Sequence, residues 1–183
     1  MDDTEFRTRL ADGERSFPGL ELADADLTRT DLRHADLRPS RWNRLDLRGA
    51  DLSRADLRGA RLVDVDLRGA HLFLANFGGA TLVCVDLSSA NLHRAGFAAA
   101  EMTGAQLRAA QLIEADLSKA NLRGANLQGA NLEKADLRGA DLRGANLEEA
   151  LLGGADFAGA RRSTPGKPAK PSLDALAAGI PFA

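Results

Sequence analysis

Large apolar residues recur at every fifth position of this chain. From Phe17 the register never slips: Phe17, Leu22, Leu27, Leu32, Leu37, Trp42, Leu47 and onward to Phe157. Two positions before each stands a small residue, nearly always Ala, with Leu20, Thr30, Ser40, Leu45, Val65 and Val85 as departures. Asp or Asn often precedes the apolar residue. Gly often follows two positions later (Gly49, Gly59, Gly69, Gly124, Gly129), although Asp24, Arg54 and Glu114 stand at equivalent places. The stretch from Ala120 to Gly144 shows the repeat at its purest. A period of five fits neither standard element. On an α-helix five residues advance about 140° past a full turn, so the leucines would spiral around it. On a straight strand an odd period flips every second leucine to the opposite face. All leucines stay on one side only if the backbone turns once per repeat, which makes a solenoid with short sides. Ala, Leu, Arg and Glu favour helix by propensity, but the period outweighs them.

Alternation along each short side points the large and the small residue inward and the other three outward. The position two after Leu is the corner, where Gly suits unusual dihedrals. Phe takes the central place at 17, 77, 97 and 157, numbers that share one remainder on division by 20. Four repeats per coil would stack all four rings in one column. At the strand spacing of ~4.8 Å, about seven such coils make a rod roughly 34 Å long.

The Ala-(Asp/Asn)-Leu-X-X pattern from Phe17 to Ala160 resembles the pentapeptide-repeat proteins. The resemblance implies an all-β fold, a right-handed quadrilateral β-helix with four repeats to the coil. The functions of that family are diverse, so the fold does not name the task.

The repeat leaves both ends to be covered. Residues 1–16 lie outside it and are predicted to form a helical cap. Asp3 or Thr4 would begin the helix, Gly13 would end it, and Phe6 and Leu10 would face the first coil. Residues 17–160 form the β-helix. Residues 161–183 begin with a linker of three prolines and four basic residues, to Pro171. A short helix or a disordered tail follows, with Leu173, Leu176, Ile180 and Phe182 as its apolar residues. Leu151 adds an apolar side chain where the repeat usually has Asp or Asn. Either this tail folds back over the last coil or two molecules meet end to end. The homodimer is favoured, because a proline-containing basic linker tends to hold a helix away from its own rod.

With 183 residues the chain suits one domain, and its net charge of −2 implies no strongly charged partner. A single cysteine, Cys84, excludes an internal disulfide framework. The acidic start lacks a signal peptide's basic and apolar regions, and no run approaches the ~18 apolar residues of a membrane span, so a cytoplasmic protein is expected. Each buried Leu contributes roughly 1.5–3 kcal/mol. An interior filled by Leu and Ala leaves no room for a ligand. His34, His71 and His93 fall in different coils, with no metal spacing and no nucleophile–base pair. Tyr is absent and aromatics are 4%, which argues against base stacking. Catalysis, a cofactor and direct nucleic-acid binding are not expected.

Two outer features remain. Folding at twenty residues makes an acidic column of Asp26, Asp46, Asp66 and Asp86, and a second of Asp36, Asp56, Asp116, Asp136 and Asp156. Spaced carboxylates can imitate duplex phosphates. The family resemblance implies that possibility, since some members protect the DNA gate of gyrase. Arg48 and Arg68 on one side, and Arg38, Arg58 and Arg138 on the other, would neutralise these columns. The repeat also lacks the loop insertions of some gyrase-protecting members. The apolar feature comprises Val63, Val83 and Cys84 on one side, with Phe73, Leu74 and Ile113 on the opposite side, a candidate contact patch for another protein. The expected function is a non-catalytic protein-binding adaptor or scaffold. The alternative is a DNA-mimicking regulator of a type II topoisomerase.

Overall fold

The computed structural model describes residues 1–163. One helix, α1 (Asp3–Ala11), precedes a four-sided rod. The sides are numbered here by their first core residues: Phe17, Leu22, Leu27 and Leu32. On the second side four short strands, β1 (Glu21–Ala23), β2 (Arg41–Asn43), β3 (Arg61–Val63) and β4 (Thr81–Val83), form a parallel sheet. Leu22 pairs with Trp42, Trp42 with Leu62, and Leu62 with Leu82. Isolated parallel bridges continue the same offset elsewhere, from Ser16 with Asp36 to Asp141 with Arg161. The coil therefore has twenty residues, and four repeats make one turn.

Hydrogen bonds run along the rod axis. The Leu47 amide donates to the Asp66 carbonyl at 2.8 Å, and the Asp46 amide reaches back to Ala25 at 3.0 Å. Within a repeat, the Ala50 amide donates to the Leu47 carbonyl at 3.0 Å, closing a β-turn. The corner residue between them is left-handed: φ is +64° at Gly49, and still +61° at Arg54 and +58° at Lys119. Glycine recurs there because a Cβ costs roughly 1–2 kcal/mol in this region. Pro39 cannot adopt it, since its ring fixes a negative φ. At that corner Ser40 replaces the usual Ala, is buried, and donates its hydroxyl to the Leu37 carbonyl.

The core is one continuous stack. Leu47, Leu67, Leu87 and Leu107 are wholly buried. The Phe77 and Phe97 rings lie parallel, 4.9 Å apart with an interplanar angle of 6°. The second side departs from the common corner at β1 to β4, where Ala25, Leu45, Val65 and Val85 take the inward place. From Gly104 and Ala105 onward that side returns to the ordinary turn.

Helix α1 lies against the first coil. Phe6 is fully buried, and its ring meets Phe17 edge-on at 4.8 Å. Leu10 is buried beside it. Arg7 donates to the carbonyl of Asp26, on the coil's lower edge. The N-cap is Asp2 rather than Asp3 or Thr4: its carboxylate accepts the Glu5 amide at 2.8 Å. The correction follows from spacing, because a cap must precede the first turn by one residue. Gly13, at φ +89°, ends the helix. At the other end Leu147, Ala150, Ala155 and Ala160 are only partly buried, and Leu151 is exposed. Leu173, Leu176, Ile180 and Phe182 lie outside the described residues.

Candidate functional site

The twenty-residue stacking brings the acidic columns together. Asp26, Asp46, Asp66 and Asp86 bridge in sequence on the third side. Each carboxylate first serves its own turn, as when Asp26 Oδ1 accepts the Thr28 amide at 2.9 Å. Where Arg stands two residues on, it then grips the same carboxylate. Arg48 Nη2 lies 2.6 Å from Asp46, and Arg68 Nη2 lies 2.6 Å from Asp66. These arginines also lean towards the next coil, 3.7 Å from Asp66 and 3.9 Å from Asp86. On the first side Arg38 bonds Asp36 at 2.7 Å and approaches Asp56 at 3.2 Å. The Arg38 guanidinium holds the Asp36 carboxyl down to about 2, and Arg143 does the same for Asp141. The columns thus present alternating charge rather than a row of anions.

This carpet of Asp–Arg pairs has a gap. On the first side the pairs Asp36–Arg38 and Asp56–Arg58 are followed by Asn76 with Gly78, then Gly96 with Ala98. Asn76 Oδ1 accepts the Gly78 amide at 2.9 Å, so the turn persists without the charge. Phe77 and Phe97 lie beneath. On the adjoining fourth side no Asp–Arg pair stands at His71–Phe73 or Asn91–His93, although at the corner Arg94 pairs with Glu114 at 2.8 Å. On that side Phe73 meets His93 edge-on at 5.6 Å, and Ile113 continues the column. Leu74, at the corner between the two sides, is 40% exposed. Phe73, Leu74 and Ile113 therefore belong to one window without Asp–Arg pairs that turns the corner onto Asn76, Gly78, Gly79, Gly96, Ala98 and Ala99, with the Arg94–Glu114 pair in the corner column of Leu74. The repeat pattern pointed to the three apolar residues and missed the small ones. Their signal was a missing motif, the absent Asp-X-Arg.

Val63 and Val83 pair in β3 and β4 on the second side, with Val83 and Cys84 exposed and Val63 half-buried. This is a separate patch on the opposite face of the rod. His34 and His71 stand in other coils, apart from His93. Among the described residues no group of three or more His, Cys, Asp or Glu side chains could hold a metal ion. No described helix is long and apolar enough to cross a membrane.

The family model for pentapeptide repeats (8 copies) matches residues 16–41, 40–72, 70–108, 100–139 and 140–161. The chain belongs to the pentapeptide-repeat family. No curated protein matches it. Among solved pentapeptide-repeat structures, trypsin-treated QnrB1, a plasmid-mediated fluoroquinolone resistance protein, superposes with a TM-score of 0.74 at 24% identity, over 79% of this chain and 74% of that one. HetL, involved in heterocyst differentiation regulation in the cyanobacterium Nostoc sp. strain PCC 7120, is 32% identical over 87% of this chain and 96% of its own, with a TM-score of 0.41. A pentapeptide-repeat protein of the Arabidopsis thaliana thylakoid lumen is 33% identical over 58% and 70%, with a TM-score of 0.49. The likeness to QnrB1 is one of fold.

Proposed function

We propose that this pentapeptide-repeat protein is a non-catalytic adaptor that binds another protein through the window on its fourth and first sides. The observation that supports the reading is the loss of the Asp–Arg pairs at Asn76–Gly78 and Gly96–Ala98 on the first side, directly beside the Phe73, Leu74 and His93 side chains of the fourth. Covering paired charges costs desolvation, and the window lowers that cost where a partner would lie, with Arg94–Glu114 the pair that remains at its corner. It offers an aromatic ring, an exposed Leu and a floor of Gly and Ala that a partner's backbone can approach closely. Interface centres are depleted in charge and enriched in aromatic residues in the same way. The patch of Val63, Val83 and Cys84 on the opposite face is a second, smaller contact.

A second reading is the DNA-mimicking regulator of a type II topoisomerase. The two acidic columns, and the fold shared with QnrB1, stand in its favour. The bidentate arginines stand against it, since a phosphate mimic needs uncompensated negative charge.

Two assays separate these readings. The purified protein and a variant carrying Leu74→Glu with Ala98→Arg are used as baits in lysate of the native cell. The wild type is expected to retain a partner that the variant loses, with gyrase supercoiling unchanged by either bait. Equal capture by both would overturn the window. Inhibition or protection of gyrase by the wild type, lost on Asp46→Lys with Asp66→Lys, would establish the mimic instead.

A further inference from the structure

On three consecutive coils of the fourth side, neither outward column holds Asp, Glu, Lys or Arg. The rows are His71 with Phe73, Asn91 with His93, and Gln111 with Ile113, stacked by parallel bridges. Among the described residues no other side has three such rows in succession. Asp51 bounds the run below and Glu133 above. The two columns stand two residues apart along the side, about 7 Å. Between them Leu72, Leu92 and Leu112 point inward and are wholly buried. The rows therefore wall a shallow trough that runs along the rod axis.

An extended peptide finds no backbone to pair with in this trough. The Leu72 amide donates to the Asn91 carbonyl and the Leu92 amide to Gln111, both at 2.8 Å, and the Leu112 amide to Asn131 at 2.7 Å. A partner must bind there through side chains. The rows repeat at ~4.8 Å, close to the 5.4 Å pitch of an α-helix. A helix laid along the trough would set one apolar residue of its stripe against each row, drifting by only about 1 Å over the three. The corner beside the Phe73 column sets the charge. Coil by coil it carries His34, Arg54, Leu74, Arg94 and Glu114. Arg94 is paired with Glu114 at 2.8 Å, whereas Arg54 has no ion-pair partner among the described residues. Leu74 stands between the two arginines. Alone among the non-glycine residues with left-handed backbone it carries a large aliphatic side chain, at φ +58°. The corners above and below it take charged residues, so the turn does not require a leucine, and a strained, exposed one marks a contact. We infer that the fourth-side part of the window holds an acidic amphipathic helix of the partner, about three turns long. Its apolar stripe lies on Phe73, His93 and Ile113, with Leu74 beside it and its carboxylates towards Arg54. The inference rests on the adaptor reading above and names the element that the partner brings.

The probe is a phage-displayed library of peptides about 18 residues long, with leucine fixed at i, i+4, i+7 and i+11 and every other position random. Peptides retained by the wild type are synthesised and titrated by fluorescence anisotropy, with helicity read by circular dichroism. They should carry Asp or Glu on one flank and gain helicity on binding. Leu74→Ser should weaken them roughly tenfold or more, Ile113→Gln likewise, and Arg54→Ser severalfold. Arg123→Ser, the same loss of charge on the opposite side of the rod, should leave them unchanged. Retention of no peptide, basic flanks, binding without helix, or equal affinity for Leu74→Ser and Ile113→Gln would overturn the helix. The double variant Leu74→Glu, Ala98→Arg separates that failure from failure of the window. Peptides that fail these criteria but are lost on the double variant overturn the helix alone, and peptides that bind it as tightly as the wild type overturn both.

Discussion

A single core leucine and a single corner glycine test different halves of the repeat. Leu87 is wholly buried between Leu67 and Leu107, and close packing leaves it little room to collapse when truncated. Leu87→Ala should cost about 2–5 kcal/mol in denaturant melts. The corner can be probed without touching the core. Gly69 has φ +63°, and a Cβ built there would meet nothing within 4 Å. Any loss in Gly69→Ala is therefore backbone strain alone. It should be about 1 kcal/mol, once the unfolded chain's reduced freedom is set against the left-handed penalty. Ala109, at φ +53°, is the mirror case, and Ala109→Gly should not destabilise. A Gly69→Ala protein as stable as wild type in the same melts would mean that the corner tolerates any residue freely.

At the scale of the element, the Asp-X-Arg turn links charge to stability. Exposed pairs contribute little individually, but here they repeat along whole columns. Asp36 and Asp141 titrate near 2 in the folded protein because Arg38 and Arg143 stabilise their charged forms. In the unfolded chain they take up protons near the ordinary aspartate value of about 3.9. Their contribution is therefore complete above that value and is lost as pH falls towards 2. Thermal melts should be flat from about pH 7 to 5 and decline below about 4. The decline should be shallower in the double variant Arg38→Ala, Arg143→Ala. The helix at the other end has its own test: Phe6→Ala should cost about 3–5 kcal/mol, as for other buried aromatic truncations. What could be read beforehand divides along the same line. The period of five fixes which residues face inward along the rod, and the i,i+4 spacing of Phe6 and Leu10 marks one face of the helix before it, so these two and every core leucine were legible. The aligned phenylalanines revealed the coil. The window was only half legible, because Gly78 and Ala98 matter through side chains they lack and meet Phe73 only around a corner. The strand corners of the second side were equally hidden: Leu45, Val65 and Val85 accompany three of them, but the ordinary Ala25 follows β1.

For the whole molecule, the question is whether the four sides are interchangeable. Each coil touches only its neighbours, so stability should be close to a sum over coils and their interfaces. Deleting residues 61–80 removes one complete coil. Trp42 would then lie beneath Leu82, Leu45 beneath Val85 and Asp46 beneath Asp86, each column meeting its own kind. Deleting only residues 61–65 also preserves the inward pattern, since Ala60 would run directly into Asp66-Leu67. Everything beyond the junction, however, turns by one side. The strand β4 would leave the column of β1 and β2, Arg68 would leave the third-side column of Arg48, and Phe73 would leave the corner it shares with the first side. If leucines alone hold the rod, the shorter deletion should be the milder one. If the sides are specialised, as β1–β4 and the Asp–Arg columns indicate, it should be the harsher. The expected result is that the twenty-residue deletion folds cooperatively with a modest loss, and that the five-residue deletion melts at a lower temperature despite keeping fifteen more residues. Melting by circular dichroism on both proteins decides the matter. A five-residue deletion as stable as the twenty-residue one would show that the repeat is a generic unit and the columns are decoration.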